Sequence, residues 1–216
     1  MSNSRLAQCR LYGFIDTTYV DDLDPGDVAR DLIAGGVDIL QVRAKQRTHA
    51  ERVEAGLKAV SAAFSSRVPV IIDDDIEAAF ECGADGVHLG QEDWAVIPRE
   101  QRVERLANMR LVGISTHSLD QALAAERDGA SYIGVGPVFP TPTKPAAKCI
   151  GTDVIRQVAA RVNIPFFAIG GITLGNIGQV LEAGATRVAV VSAILKASDV
   201  TEASAEFKKR LGGVVS

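Results

Sequence analysis

The 216-residue sequence has few cysteines, no excess of basic charge and no long apolar run, and each shortage closes off a class of protein. Its three cysteines, Cys9, Cys82 and Cys149, form no metal-ligand pair at C-x-x-C spacing. Their odd number argues against a disulfide framework, so ordinary reduced thiols are expected. A net charge of −4 and a pI of about 5.4 give no compositional support to a nucleic-acid or anionic-membrane partner. No run approaches the roughly 18 apolar residues of a membrane span, and the opening MSNSRLAQCRLYGF lacks a charged segment followed by an apolar one. A cytoplasmic protein is expected. No linker, Pro/Ser-rich tract or charge block divides the chain, which reads as a single domain over residues 1–216.

What is present is a rhythm. Short runs rich in Val, Ile and Phe recur eight times, at LYGFID, VDILQVR, VPVIID, GVHLG, LVGIST, YIGVGPV, PFFAIGG and RVAVVSAI. Between them lie segments of helical period, such as Val154, Ile155, Val158 and Val162, or Val200, Ala203, Phe207 and Leu211. Four helix-to-strand junctions, AGGVDIL, ECGADGV, RDGASYI and EAGATRV, each carry Gly where a helix needs a left-handed cap. Strands apolar on both faces and reached through helices must run parallel. Eight such units predict an α/β fold, a closed (β/α)8 TIM barrel. A doubly wound open sheet would carry a Gly-rich turn after the first strand, and FIDTTYVDDLDP has none.

In such a barrel the active site lies at the C-terminal strand ends, and unusual polar residues gather there. After strand two, QVRAK alternates Gln41, Arg43 and Lys45 with Val42 and Ala44, so a period of two sends two cations and an amide the same way. In isolation that pattern would read as a solvated strand end. After strand three comes a run of three carboxylates, Asp73, Asp74 and Asp75, and after strand four GQED brings Gln91, Glu92 and Asp93. Two carboxylates about 4 Å apart repel by about 4 kcal/mol at an effective dielectric near 20 unless a cation intervenes. Hard oxygen ligands favour Mg2+, which commonly takes one or two protein carboxylates and substrate phosphate. The alternative is helix capping, by Asp74 with Glu77 or by Asp75, which accounts for one aspartate of the three.

After strand five, GISTHS offers Ser115, Thr116, His117 and Ser118. Ser118 with Gln121 reads as a capping box, and His117 as either a base or a simple hydrogen-bonding group. GPVFPTPTK after strand six is stiffened by three prolines and displays Thr141, Thr143 and Lys144, which suits an anion. Gly170 and Gly171 after strand seven and Ser192 after strand eight occupy the place where barrels of this kind hold phosphate, although Gly there also serves a tight turn. Two anion sites would then face each other across one barrel mouth, suited to a diphosphate and a monophosphate. With no thiolate nucleophile, acid–base pair or Schiff-base lysine in evidence, transfer of a group away from a diphosphate fits best.

QVRAK, IIDDDIE, GVHLGQED, GISTHS, GPVFPTPTK, AIGGI and VVSAI, in this order over nearly the whole chain, closely resemble the thiamine-phosphate synthase family, also called thiamine-phosphate pyrophosphorylase. The resemblance implies a (β/α)8 barrel that joins a pyrimidine diphosphate to a thiazole phosphate with Mg2+ and releases pyrophosphate. It implies that Gln41, Val42, Arg43, Ala44 and Lys45 bind the pyrimidine diphosphate, with Ser115 and Lys144 as further contacts. By the same resemblance Arg43, Lys45, Ser115 and Lys144 would carry the catalytic stabilisation of departing charge. Asp74 and Asp93 match the Mg2+ ligands. Thr141, Pro142 and Thr143 match the thiazole-phosphate loop, and Gly171, Val191 and Ser192 the amides around its phosphate. Small-molecule partners are implied, and a homo-oligomer is compatible with the pattern.

Asp73 departs from the family, which usually has Asn at this substrate-facing position. An added anion there should weaken diphosphate binding unless it joins the metal or turns away. Two rival readings are a thiazole tautomerase-like paralogue and a non-catalytic phosphate-binding barrel. Tautomerases typically carry His directly after the glycine of the strand-six loop, where this chain has Pro137, which offers no side-chain proton acceptor.

Overall fold

A computed structural model describes residues 6, 8–98, 102, 106, 109–143 and 146–212. Eight parallel strands close into a barrel in chain order: β1 (Leu11–Asp16), β2 (Ile39–Arg43), β3 (Val70–Asp73), β4 (Gly86–Leu89), β5 (Leu111–Thr116), β6 (Tyr132–Val135), β7 (Phe166–Ile169) and β8 (Val188–Ala189). The seam joins Leu11 to Val188 and Tyr12 to Ala189, which excludes an open doubly wound sheet. Each of the eight apolar runs contributes one strand. β8 is only two residues long because VVSAI turns at once into a short helix.

Among the described residues ten helices surround the barrel: α1 (Thr17–Val20), α2 (Pro25–Ala34), α3 (His49–Ala63), α4 (Ile76–Glu81), α5 (Gln91–Val96), α6 (Leu119–Arg127), α7 (Gly151–Arg161), α8 (Ile177–Glu182), α9 (Ser192–Leu195) and α10 (Val200–Gly212). Their starts follow local chemistry. Asp24 caps α2 ahead of Pro25, and Thr48 and Glu51 form a reciprocal capping box on α3. Gly36, Gly83, Gly129 and Gly184, the four junction glycines, all adopt positive φ, where a Cβ would be strained. The periodic residues also land as expected: Ile155 and Val158 of α7, and Phe207 and Leu211 of α10, are buried. Burying a side chain of this size contributes about 1.5–3 kcal/mol, which fastens α10 onto α2 and β1.

Strand alternation divides the core in two. Outward residues such as Leu40, Val42, Ile72, Val87 and Ile133 pack beneath the helices. Inward residues Tyr12, Phe14, Ile39, Ile71, Leu111, Tyr132 and Phe167 fill the barrel, which Leu6 and Cys9 join from the chain's beginning. Above this floor the inward positions become polar, and that change of character along each strand builds the site.

Candidate active site

Asp16 ends β1 and stands beside Arg43 of β2 in the strand register. Both point inward, and Arg43 Nη1 donates to Asp16 Oδ2 at 2.9 Å, while Asp16 Oδ1 accepts the Thr18 N–H at the start of α1. Asp16 is fully buried, so the guanidinium is held in one place by a carboxylate that water does not reach. One pocket at this end of the barrel is lined by Gln41, Arg43, Asp73, Ser115, Thr141, Thr143, Gly171, Val191 and Ser192, together with Tyr12, Phe14, His88 and His117. Nine positions singled out from the sequence for substrate are thus brought onto one cavity. Val42 is buried on the opposite phase of β2, beneath the helices, and Ala44, just beyond the strand, is buried too; neither side chain lines the pocket. Pro142 lies between two lining threonines, and Lys144 lies outside the described residues.

The three consecutive aspartates are kept apart by geometry as well as by cations. Asp73 faces the pocket, its Oδ2 3.2 Å from Lys45 Nζ and 3.8 Å from Arg43 Nε. Asp74 adopts φ +59°, a left-handed conformation that Asp tolerates better than most residues. Its N–H donates to His88 O at 2.9 Å, and its carboxylate pairs with Lys45 and accepts the Gly90 N–H. Asp75 turns away to cap α4 through the Ala78 N–H, and its other oxygen meets His49 Nδ1 and Arg52 Nη1, each at 3.1 Å. Burial pushes the Asp75 carboxyl up, but the Ala78 N–H, His49 and Arg52 outweigh it and hold it below the usual carboxylate range. The cap is therefore Asp75, and the alternative of Asp74 boxed with Glu77 does not form. The Ser118 box is incomplete too: Ser118 Oγ accepts from Gln121 N, but Gln121 Oε1 takes the His117 N–H.

Among the described residues no group of three or more His, Cys, Asp and Glu side chains is placed to hold a metal. A hard divalent ion needs only one or two carboxylates beside water and phosphate, and two border Gly90: Asp74, just after β3, and Asp93 of α5. A Cβ added at Gly90 would stand 2.9 Å from Asp93 Oδ2 and 4.0 Å from Asp74 Oδ1. Glycine leaves open the space onto which both carboxylates converge, and that donor set suits Mg2+.

The opposite wall is made of backbone. Gly170 and Gly171 both take positive φ, and a Cβ at Gly171 would fall 2.3 Å from Pro140 O. Phe139 N donates to Gly170 O and Val138 N to Ile169 O, which lays the proline-stiffened loop directly on the end of β7. Thr143 is tied across to α1 by the Tyr19 hydroxyl at 2.8 Å. His117 Nδ1 bonds the Gly136 carbonyl, so that imidazole anchors the loop.

Sequence reasoning missed Asp16, Tyr12, His88, Tyr132 and Tyr19. Asp16 carries the same signal that marked Asp73: a carboxylate closing an apolar strand run. His88, Tyr12 and Tyr132 lie inside strands, where a polar atom facing the barrel differs from one facing a helix only by the strand's phase, and Tyr19 lies on α1.

Comparison with known proteins gives the family. Residues 11–194 match the family described as Thiamine monophosphate synthase. The chain is 39% identical over 209 residues to the thiamine-phosphate synthase of Chloroflexus aurantiacus, covering 96% of this chain and 95% of that one. It is 44% identical over 183 residues to the thiamine-phosphate synthase of Thermus thermophilus, with 84% and 86% covered. The structure of thiamine phosphate pyrophosphorylase from Pyrococcus furiosus superposes with a TM-score of 0.86 at 34% identity, over 99% of both chains. With its closed barrel and these relatives, the chain belongs to the thiamine monophosphate synthase family.

Proposed function

We propose that the chain transfers the 4-amino-2-methylpyrimidin-5-ylmethyl group from its diphosphate to 4-methyl-5-(2-phosphoethyl)thiazole, forming thiamine phosphate and pyrophosphate, or to its carboxylate precursor, which also loses carbon dioxide and takes up a proton. One observation carries this reading: Arg43 of β2 and the Ser115 hydroxyl of β5 line the same pocket as the glycine backbone after β7 and the Val191–Ser192 backbone after β8, so two phosphorylated substrates have separate groups to bind. The enzyme would be cytoplasmic, act on small molecules rather than nucleic acid or membrane, and be free to form a homo-oligomer.

Arg43, fixed by Asp16, presents a guanidinium of unchanging position to the diphosphate, and Lys45 adds an ammonium at the rim. The Ser115 hydroxyl lines the same pocket, and Lys144 would add a further positive charge for the diphosphate. The backbone N–H groups of Gly171, Val191 and Ser192 would hold the thiazole phosphate, with Thr141 and Thr143 beside it. Asp74 and Asp93 would hold Mg2+, which when bound supplies positive charge against the departing diphosphate. The C–O bond to diphosphate breaks with its electron pair going to pyrophosphate, and the thiazole nitrogen lone pair then forms the new C–N bond. That nitrogen has no proton to lose, so no general base is needed. Rate comes from fixed charge and from holding the two reactants together.

Incubating the chain with both phosphorylated precursors and Mg2+ should release pyrophosphate and thiamine phosphate in equal amounts. Failure to release pyrophosphate would overturn the reading.

A further inference from the structure

Beneath the pocket a line of polar atoms crosses the apolar barrel interior. Gln41 Nε2 donates to the Tyr12 hydroxyl at 2.8 Å, the Tyr12 and Tyr132 hydroxyls are 2.9 Å apart, Tyr132 stands 3.2 Å from His88 Nδ1, and His88 Nε2 stands 3.0 Å from Ser115 Oγ. Gln41, Tyr12, His88 and Ser115 all border the pocket, and Gln41, Tyr12, Tyr132 and His88 are buried. We propose that this Gln41–Tyr12–Tyr132–His88–Ser115 chain runs in one direction, and that Tyr12, Tyr132 and His88 are positioning residues that set which face of Gln41 and of Ser115 meets substrate. The effect on turnover rests on the proposed activity; the direction itself does not.

The direction follows from counting protons. Burial pushes both phenols well above their ordinary range, so each keeps one O–H. With Gln41 donating to Tyr12, one arrangement uses both phenol protons within the chain: Tyr12 donates to Tyr132 and Tyr132 to His88 Nδ1. His88 is then the Nε2–H tautomer and donates to Ser115. Ser115, already an acceptor from below, turns its own proton into the pocket, where a diphosphate oxygen can take it. Gln41 correspondingly presents Oε1 to the pocket. In the reverse sense Ser115 would spend its proton on His88 and offer an anion only lone pairs. Gly113 shows how closely the line is fitted, since a Cβ there would fall 2.3 Å from Tyr132 Cζ and 2.4 Å from His88 Nδ1.

The test uses the full chain with 15N-labelled histidine, free of substrate, at a pH well above the imidazole range. Three histidines are present, and His88→Gln identifies the His88 signal. The expected result is the Nε2–H tautomer, with Tyr132→Phe moving the Nδ1 resonance as its donor disappears. An Nδ1–H tautomer in the unaltered chain, or a His88 signal indifferent to Tyr132→Phe, would overturn the proposal. In kinetics, Tyr132→Phe should lower kcat/KM about tenfold, the scale of one hydrogen bond. That loss should shrink to about threefold or less in a Ser115→Ala background, because two residues that do not touch are coupled through His88. Fully multiplicative losses would overturn it. Because the tautomer is read on free protein, a chain that released no pyrophosphate would refute the activity and leave the direction to stand or fall on its own spectrum.

Discussion

Asp16 and Arg43 are register neighbours on adjacent strands, joined at 2.9 Å, and the carboxylate of the pair is fully buried. Removing one partner of such a pair leaves the other charge desolvated, at a cost of about 3–5 kcal/mol. Asp16→Ala should lose stability on that scale in urea unfolding. Asp16→Asn keeps an acceptor for the Thr18 N–H and should lose less, while still raising KM for the diphosphate substrate because Arg43 is no longer held. Equal KM values for the native chain and Asp16→Asn would show that Arg43 needs no anchor.

Gly90 makes the metal reading testable without touching a ligand. Its backbone, at φ −70° and ψ 168°, suits alanine, but the new Cβ would press on Asp93 Oδ2. Gly90→Ala should therefore leave the melting temperature nearly unchanged and raise the Mg2+ concentration needed for half-maximal turnover about tenfold or more. Turnover that persists undiminished in chelator, or with Asp74 and Asp93 both changed to Ala, would remove the metal from the account.

Asp73 is the residue at which this chain leaves its family's usual pattern, and it neither turns away nor stands beside the Gly90 cradle: it answers Lys45 and Arg43. Asp73→Asn should free part of that positive charge for the substrate and lower KM for the diphosphate several-fold, with the Mg2+ requirement kept. An unchanged KM and metal requirement would make Asp73 a bystander.

His49 bridges Asp75 and Glu81, one ring nitrogen to each at 3.1 Å, and these hydrogen bonds raise its pKa above 6.5. A group whose folded pKa is raised stabilises fully below its unfolded pKa and stops doing so as pH climbs through the folded one. Melting curves of the chain and of His49→Ala should differ most below pH 6.5 and converge at alkaline pH. A gap that widens with pH would contradict the bridge.

Much of this protein could be read before folding. Eight strand runs, four junction glycines and the alternation of QVRAK are local properties: β-branched residues, a missing Cβ and a two-residue period act over a few positions wherever the chain goes. The gathering of polar residues at one end of the barrel followed as well, because a parallel barrel offers its strand ends on one face. Tertiary structure alone decided which of three adjacent aspartates caps a helix, since that turned on Asp74 entering the left-handed region to reach the His88 carbonyl. It also joined Tyr12 to Tyr132 across 120 residues of sequence. The physical reason is one of range. Propensity and phase are set by neighbours along the chain, whereas hydrogen bonds and ion pairs within a closed barrel depend on which strands curl round to face one another.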